Sequence, residues 1–139
     1  MSVLNAINAA LYSKMNGATA LTSLLAGTTS IYYQQAPDEA TFDYVVFSHV
    51  AGGPNNDYAG DSRDQIVFIR GYSTTGPAAA GSIDAQISTL FHRGTVAVAG
   101  YTNYWTAREE DIQLVENAPE PGGVKIWMAG ANYRIRLDT

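Results

Sequence analysis

The feature that most constrains the fold is a two-residue period of apolar side chains in a predicted strand from Val124 to Leu137. Its odd positions are apolar: Trp127, Ala129, Ala131, Tyr133, Ile135 and Leu137. Its even positions begin apolar, at Ile126 and Met128, and then become polar and basic. Because successive side chains of a strand point to opposite faces, one face of this strand is predicted to be buried along its whole length.

The change of polarity on the other face leaves three interpretations open. Ile126 and Met128 cover a second helix, or they meet a partner subunit, or Gly130 marks a bulge where the strand changes direction. We take the subunit contact as our hypothesis, which makes Ile126 and Met128 candidate interface residues.

The remaining elements fit one domain over residues 1–139. Helical spacing predicts a first helix capped by Ser2 and ended by Gly17, and another that starts near Pro77 and ends before Gly94. Strands are predicted at Ile31 to Gln35, Asp43 to Val50, Gln65 to Tyr72, Val96 to Tyr101 and Tyr104 to Val115. The fold class is therefore predicted to be α+β, with an antiparallel sheet of about four to five strands flanked by two helices.

A long polar loop is predicted from Ala51 to Asp64, because glycine, proline and asparagine residues punctuate its first half. Asp57, Asp61 and Asp64 could gather around a hard cation. Arg63 lies among them as an internal counter-ion, which favours a solvated acidic loop.

The same loop carries a candidate contact with a partner protein. Tyr58 is flanked by Asp57, Asp61 and Arg63, and an amphipathic aromatic side chain beside charges is typical of interfaces. An idle hairpin tip is the alternative. We expect the loop to be mobile in the free protein and to become ordered when it docks.

Composition excludes several classes of protein. The chain has no cysteine, which rules out a disulfide framework and thiolate metal sites, and its N-terminus lacks the pattern of a signal peptide. The formal net charge is -5, with only eight Lys and Arg residues. A protein with so few basic residues is a poor candidate for specific DNA binding. No apolar stretch has the length of a membrane span.

No motif in the sequence predicts catalysis, a metal site or a cofactor. There is no Gly-x-Ser-x-Gly string, and the Gly52-Gly53-Pro54 turn lacks the remainder of a phosphate-binding loop. His49 and His92 fall in different predicted elements, so a zinc site is not expected. Of the acidic run Glu109 to Asp111, only the first and last residues are predicted to share a strand face.

Several segments in order resemble the tail-completion or tail-terminator proteins of long-tailed bacteriophages over nearly the whole chain. They are the opening helix, Leu21 to Leu25, Ile31 to Pro37, Phe42 to Phe47, Gln65 to Ser73, Ile87 to Gly94, and a terminal hairpin with Arg108 and Arg134. Asp43 stands where the family usually has proline before a Tyr-Val-Val strand.

The resemblance implies a structural subunit of the virion tail, assembled in the host cytoplasm, with no catalysis. It implies a homo-oligomeric ring, a hexamer, at the head-proximal end of the tail. This ring would end growth of the tail tube, contact tail-tube and head-tail connector proteins, and let DNA pass without specific binding. Alternatives are another head-to-tail joining protein, or a small α+β enzyme or ligand-binding domain whose pocket is lined by Tyr101, Tyr104, Trp105 and Trp127.

Overall fold

Three helices and five strands make up the part of the chain that the structure describes. The structure is a computed structural model and describes residues 2–57, 60–116 and 125–138, with the backbone alone described for residues 55–57, 60, 61 and 116. In chain order the elements are α1 (Val3–Asn16), α2 (Thr19–Thr22), β1 (Ile31–Tyr33), β2 (Tyr44–Asp57), β3 (Gly60–Ser73), α3 (Pro77–Phe91), β4 (Thr102–Glu116) and β5 (Ile126–Asp138).

The five strands form one sheet in the order β1-β2-β3-β5-β4. The α+β prediction is confirmed, and the sheet is mixed. β1 pairs in parallel with β2, with Ile31 opposite Val45, whereas all other neighbours are antiparallel. The antiparallel pairing predicted for β2 and β3 is confirmed from Tyr44, opposite Tyr72, onward.

Helices α1 and α3 pack on the same face of the sheet and bury its odd positions. Ser2 caps α1 as predicted, because its Oγ accepts a hydrogen bond from the N–H of Asn5 at 3.1 Å. The shared core contains side chains from both helices and from β1, β2, β3 and β5, with Ile7, Leu11, Met15, Ile83, Ile87, Phe91, Phe47, Ile69, Tyr133 and Ile135 among its members. The predicted buried face of β5 is thus confirmed, although Trp127 is only half-buried.

Gly71 lets α3 approach the centre of the sheet closely. A Cβ atom at this position would collide with the side chain of Ile83 in α3. Since a side chain here would push the helix away from β3, glycine sets the helix–sheet distance at this point.

The prediction of a loop from Ala51 to Asp64 is wrong for the described residues of this segment. β2 and β3 stay paired through this region, from Gly52 opposite Gln65 to Asp57 opposite Gly60. Pro54 lacks a backbone N–H. It is tolerated because β1 pairs with β2 only as far as Phe47, so no described strand lies on that side of Pro54 to need this donor. The predicted order–disorder change is not tested, and Tyr58 lies outside the described residues.

Two other strand predictions need correction. Residues 96–101 follow the period of a strand but belong to no strand, because no described residue forms a ladder with them. Gly130 is not at a bulge, since its pairing with Arg70 and Ile112 is uninterrupted. A Cβ on Gly130 would instead strike the backbone of Ile69 and Arg70, so glycine allows β3 and β5 to come close.

No helix in the described ranges is both long enough and apolar enough to span a lipid bilayer.

Candidate assembly surface

The sheet face opposite α1 and α3, which we call the outer face, carries the even positions of β3 and β5. Within the described residues no helix packs on it. Half-buried residues of both polar and apolar character line its centre: Ser48, Ile66, Phe68, Arg70, Tyr72, Asn132 and Arg134. A sheet face that no described helix covers is a natural surface for contact with another protein.

An ion-pair ladder crosses the outer face and connects three strands. Nη1 of Arg134 on β5 lies 3.0 Å from both carboxylate oxygens of Asp64 on β3, and its Nε lies 2.5 Å from Glu109 on β4. Hydrogen bonds with Glu109, and then with Asp64, raise the pKa of the Arg134 guanidinium. Arg136 adds a longer contact of 3.7 Å to Asp64. The carboxylate of Asp64 therefore interacts with arginines of β5, and the predicted pairing with Arg63 is not found.

A bulge in β4 corrects the predicted arrangement of its acidic side chains. The register shifts between Arg108 and Glu110, so Glu109 is an extra residue in the strand. Glu109 contacts Arg134 on the outer face, whereas Asp111 contacts Arg108 on the helix side of the sheet. The two carboxylates that strict alternation placed together therefore lie on opposite faces.

Arg70 occupies the middle of the outer face without a carboxylate within 4 Å among the described residues. Its guanidinium lies 4.6 Å from the centre of the Phe68 ring and donates to the hydroxyls of Tyr72, at 3.0 Å, and Ser48, at 3.1 Å. The same arginine lines a cleft of about 390 Å³ beside the segment after β1, and Asp38 is also in the lining. The ring contact and neutral hydroxyls hold this cation in one place.

Arg108 joins the edge of the sheet to α3. Its guanidinium donates to both carboxylate oxygens of Asp84 at 2.8 Å and to the hydroxyl of Tyr133 at 3.1 Å. The hydrogen bonds that Arg108 donates to Asp84 are the main cause that raises the pKa of Arg108. Burial chiefly raises the pKa of Tyr133, which favours the neutral phenol beside this pair. A bidentate pair with less than one-fifth of either side chain exposed fixes the angle between α3 and β4.

The two histidines have structural hydrogen bonds in separate places. His49 Nε2 donates to Asn8 Oδ1 at 2.6 Å, and Gln65 Nε2 donates to His49 Nδ1 at 2.9 Å, which selects the neutral tautomer. Burial, followed by the charge of Arg63, lowers the pKa of His49. His92 Nδ1 accepts the N–H of Arg108 at 3.1 Å.

The predicted interface residues fall at two ends of the sheet. Asp57, Asp61 and Arg63 belong to the far end of the β2–β3 hairpin, and Nε of Arg63 is buried without a partner in the described residues. At the other end, Ile126 is half-buried, while Met128 has only 3% of its surface exposed. Most of the surface of Met128 is therefore already covered within the subunit.

The pocket required by the ligand-binding alternative is not assembled. Trp105 lies opposite Arg136, whereas Trp127 lies opposite Ser73 and Val115, at the other end of β5. Tyr104 and Trp105 border a shallow cleft whose lining includes neither Tyr101 nor Trp127. Among the described residues, no cluster of three or more His, Asp or Glu side chains could hold a metal ion.

Comparisons with known proteins agree with this architecture. One solved chain, from a structure titled "Virion of native gene transfer agent (GTA) particle", shares the fold with a TM-score of 0.76 at 16% sequence identity. The similarity covers 99% of this chain and 98% of that chain. No curated protein sequence matches.

A family model described as "Tail completion protein gp17" matches residues 9–117, which is more than half of the 139 residues. The resemblance inferred from the sequence is thereby confirmed, and so are the broad role and location, a structural protein of the virion tail. The chain belongs to the tail completion protein gp17 family.

Proposed function

We propose that this protein forms a ring at the head-proximal end of a phage tail, where it ends growth of the tail tube and joins the tail to the head. The observation that carries the proposal is the family match over residues 9–117. Its partners in this role are further copies of itself, in a hexamer, together with the tail-tube protein and the head-tail connector.

The charge of the chain supports a role beside DNA without specific binding. With a net charge of -5 for each subunit and only eight Lys and Arg residues, the ring carries an overall negative charge, which disfavours holding the phosphate backbone. A ring of acidic subunits lets DNA pass during packaging and ejection, because phosphates are weakly repelled by its walls.

The proposed role requires no catalysis. The acidic and basic side chains that lie together, such as Asp84 with Arg108 and Asp64 with Arg134, neutralise one another in ion pairs. Paired groups of this kind orient strands and helices, and they lack the free carboxylate or neutral base that acid–base chemistry needs.

The far end of the β2–β3 hairpin is our candidate contact with the tube or connector. Asp57 is the last residue of β2 and Asp61 the second residue of β3, and Tyr58 follows Asp57 in the sequence. Replacing Asp57 and Asp61 by lysine is expected to weaken docking to tubes in a sedimentation assay while leaving the mass of the oligomer unchanged. Unchanged sedimentation with tubes would show that the hairpin end is not the contact.

The proposed role is tested by deleting the gene and imaging the particles by electron microscopy. We expect tails of irregular length that lack heads, with normal particles restored when the gene is supplied in trans. Tails of normal length without heads would instead indicate a joining protein that does not control length. Normal particles in the deletion strain would overturn the proposal.

A further inference from the structure

Strand β4 lies at one edge of the sheet. Among the described residues, the side of β4 that faces away from β5 has hydrogen-bond partners along one half, which we call closed, and no backbone partners along the other, which we call open. In the closed half, Arg93 N–H donates to the Thr106 carbonyl at 2.6 Å, and Arg108 N–H donates to His92 Nδ1 at 3.1 Å. Along residues 110–115, in contrast, the described part of the chain offers no backbone partner except β5 on the inner side. This open half leaves peptide groups available to another strand.

The side chains of the open half are suited to a protein contact. Leu114 and Val115 each have 54% of their surface exposed. They point to opposite faces of the sheet, because neighbours in a strand alternate. Glu110 and Asp111 are exposed at the start of the same stretch, and the Asp111 side chain is 82% exposed.

A second stretch with the character of a strand lies at residues 95–99 and belongs to no strand ladder in the described chain. Val96 and Val98 are buried in the core at 1% and 4% exposure, whereas Thr95, Ala97 and Ala99 are exposed. This two-residue period is typical of a strand with one buried face. Within the described chain, the backbones of Ala97 and Ala99 have no hydrogen-bond partner. The stretch behaves as a strand edge whose neighbour is missing.

A groove of about 480 Å³ lies between this stretch and α1. Small side chains line it almost throughout: Ala6, Ala9, Ala10, Ser13, Ala97 and Ala99. Lys14 borders the groove and donates to the carbonyl of Thr95 at 2.6 Å. The groove therefore has room for branched apolar side chains, and Lys14 provides a positive charge at its margin.

We propose that the open half of β4 in one copy pairs with residues 95–99 of a second copy, so that subunits associate head to tail. The two stretches have similar lengths, six and five residues, and the backbones of Ala97 and Ala99 in the second have no partner among the described residues. Leu114 shares a face of β4 with Glu110, and Val115 shares the other face with Asp111. Whichever of these faces meets α1 therefore supplies one apolar side chain for the alanine-lined groove and one carboxylate for Lys14. Strand addition of this kind gives affinity through the backbone and specificity through alternate side chains.

Because the two surfaces differ, each copy keeps one of them free for the next copy. Such a head-to-tail contact produces a closed ring or an open helix, depending on the rotation between subunits. Closure into a ring rests on the function proposed above, whereas the identity of the two contacting edges rests on the structure of the single chain.

Disulfide trapping tests the contact directly, because the natural chain contains no cysteine. The variant Ala97→Cys with Gln113→Cys is oxidised and run on a denaturing gel without reductant. We expect a ladder of covalent dimers and larger species that collapses on reduction. The matched control, Ala97→Cys with Ser48→Cys, places the second thiol on an interior strand and is expected to stay monomeric.

A charge introduced at the open edge provides an independent test. Leu114→Lys is expected to weaken self-association at least tenfold in analytical ultracentrifugation, because lysine blocks pairing at an exposed edge. The control Val50→Lys alters a residue of β2 with 56% exposure and is expected to leave association unchanged. Circular dichroism checks that both variants keep the fold.

The outcomes separate the contact from the ring. If the wild type forms rings but the edge pair gives no covalent ladder and Leu114→Lys assembles normally, the proposed contact is wrong and the ring stands. If the wild type stays monomeric both alone and on tails, then both the contact and the ring are wrong.

Discussion

The guanidinium of Arg108 and the carboxylate of Asp84 form a bidentate ion pair with both N···O distances at 2.8 Å. The pair connects the edge strand β4 to α3 over a sequence separation of 24 residues. Its position matters for assembly, because the same strand continues into the open edge that we propose as a subunit contact.

Replacing Arg108 by lysine is expected to destabilise the fold by about 2 kcal/mol, since a single ammonium cannot satisfy both oxygens of a half-buried carboxylate. Urea denaturation followed by circular dichroism measures the change. Asp111→Ala is the control, because its largely exposed carboxylate should contribute under about 1 kcal/mol. Equal effects of the two changes would contradict a structural role for the bidentate pair.

His49 is expected to make stability depend on pH in mildly acid solution. Its pKa in the folded protein lies below the usual 6.5. Between that lowered value and 6.5 the unfolded chain binds a proton that the folded chain does not, so stability falls as the pH drops through this window. Denaturation of the wild type and of His49→Asn across pH 7.5 to 5 isolates this contribution. A wild type that loses no more stability than the variant would exclude it.

Two glycine-to-alanine changes are expected to have opposite signs. Gly71→Ala should cost about 1 to 3 kcal/mol, because its Cβ would collide with Ile83. Gly81→Ala should instead stabilise by up to about 1 kcal/mol, since the space around this position of α3 is open and alanine favours helix. Thermal unfolding of both variants provides the comparison, and destabilisation by both would mean that α3 packs differently.

Separate serine substitutions distinguish the roles of the two apolar residues at the start of β5. Met128→Ser is expected to destabilise the monomer by about 2 kcal/mol or more, because the side chain is buried within the subunit. Ile126→Ser is expected to change stability by under about 1 kcal/mol but to weaken assembly, in line with the predicted subunit contact. Normal assembly of the Ile126 variant would remove that residue from the interface.

The sequence predicts the elements whose patterns are strong and local. Ser2 and Pro77 identify the starts of α1 and α3, and the alternation from Ala129 to Leu137 identifies the buried face of β5. These signals are reliable because caps and side-chain periods act within a few residues. The fold class could be inferred from them, whereas the family was inferred from the resemblance of several ordered segments to tail-completion proteins.

The errors arise where distant residues override local preference. The predicted loop became part of a hairpin because Gln65 and its neighbours on β3 pair with the glycine-rich segment after His49. The predicted strand at residues 96–101 has no neighbour within the described chain, although Val96 to Ala99 alternate between buried and exposed. Strand propensity indicates that a segment can adopt the extended conformation, but it does not show whether another strand lies beside the segment to pair with it.

The ion pairs of the candidate surface could not be predicted from the sequence. Arg134 contacts Asp64 across 70 residues, and the bulge that turns Glu109 toward it leaves no sequence signal. A bulge inverts every later assignment of faces along its strand, so the acidic run of β4 was assigned to the wrong sides. Opposite charges on predicted neighbouring strands were the only available hint.

Electron cryomicroscopy of the head-to-tail junction in intact particles tests the central claim most directly. The proposed function predicts one closed ring of this chain between the last ring of the tail tube and the connector, with neighbouring subunits joined in a head-to-tail manner. Density for the chain along the length of the tube, or at the distal end of the tail, would contradict it.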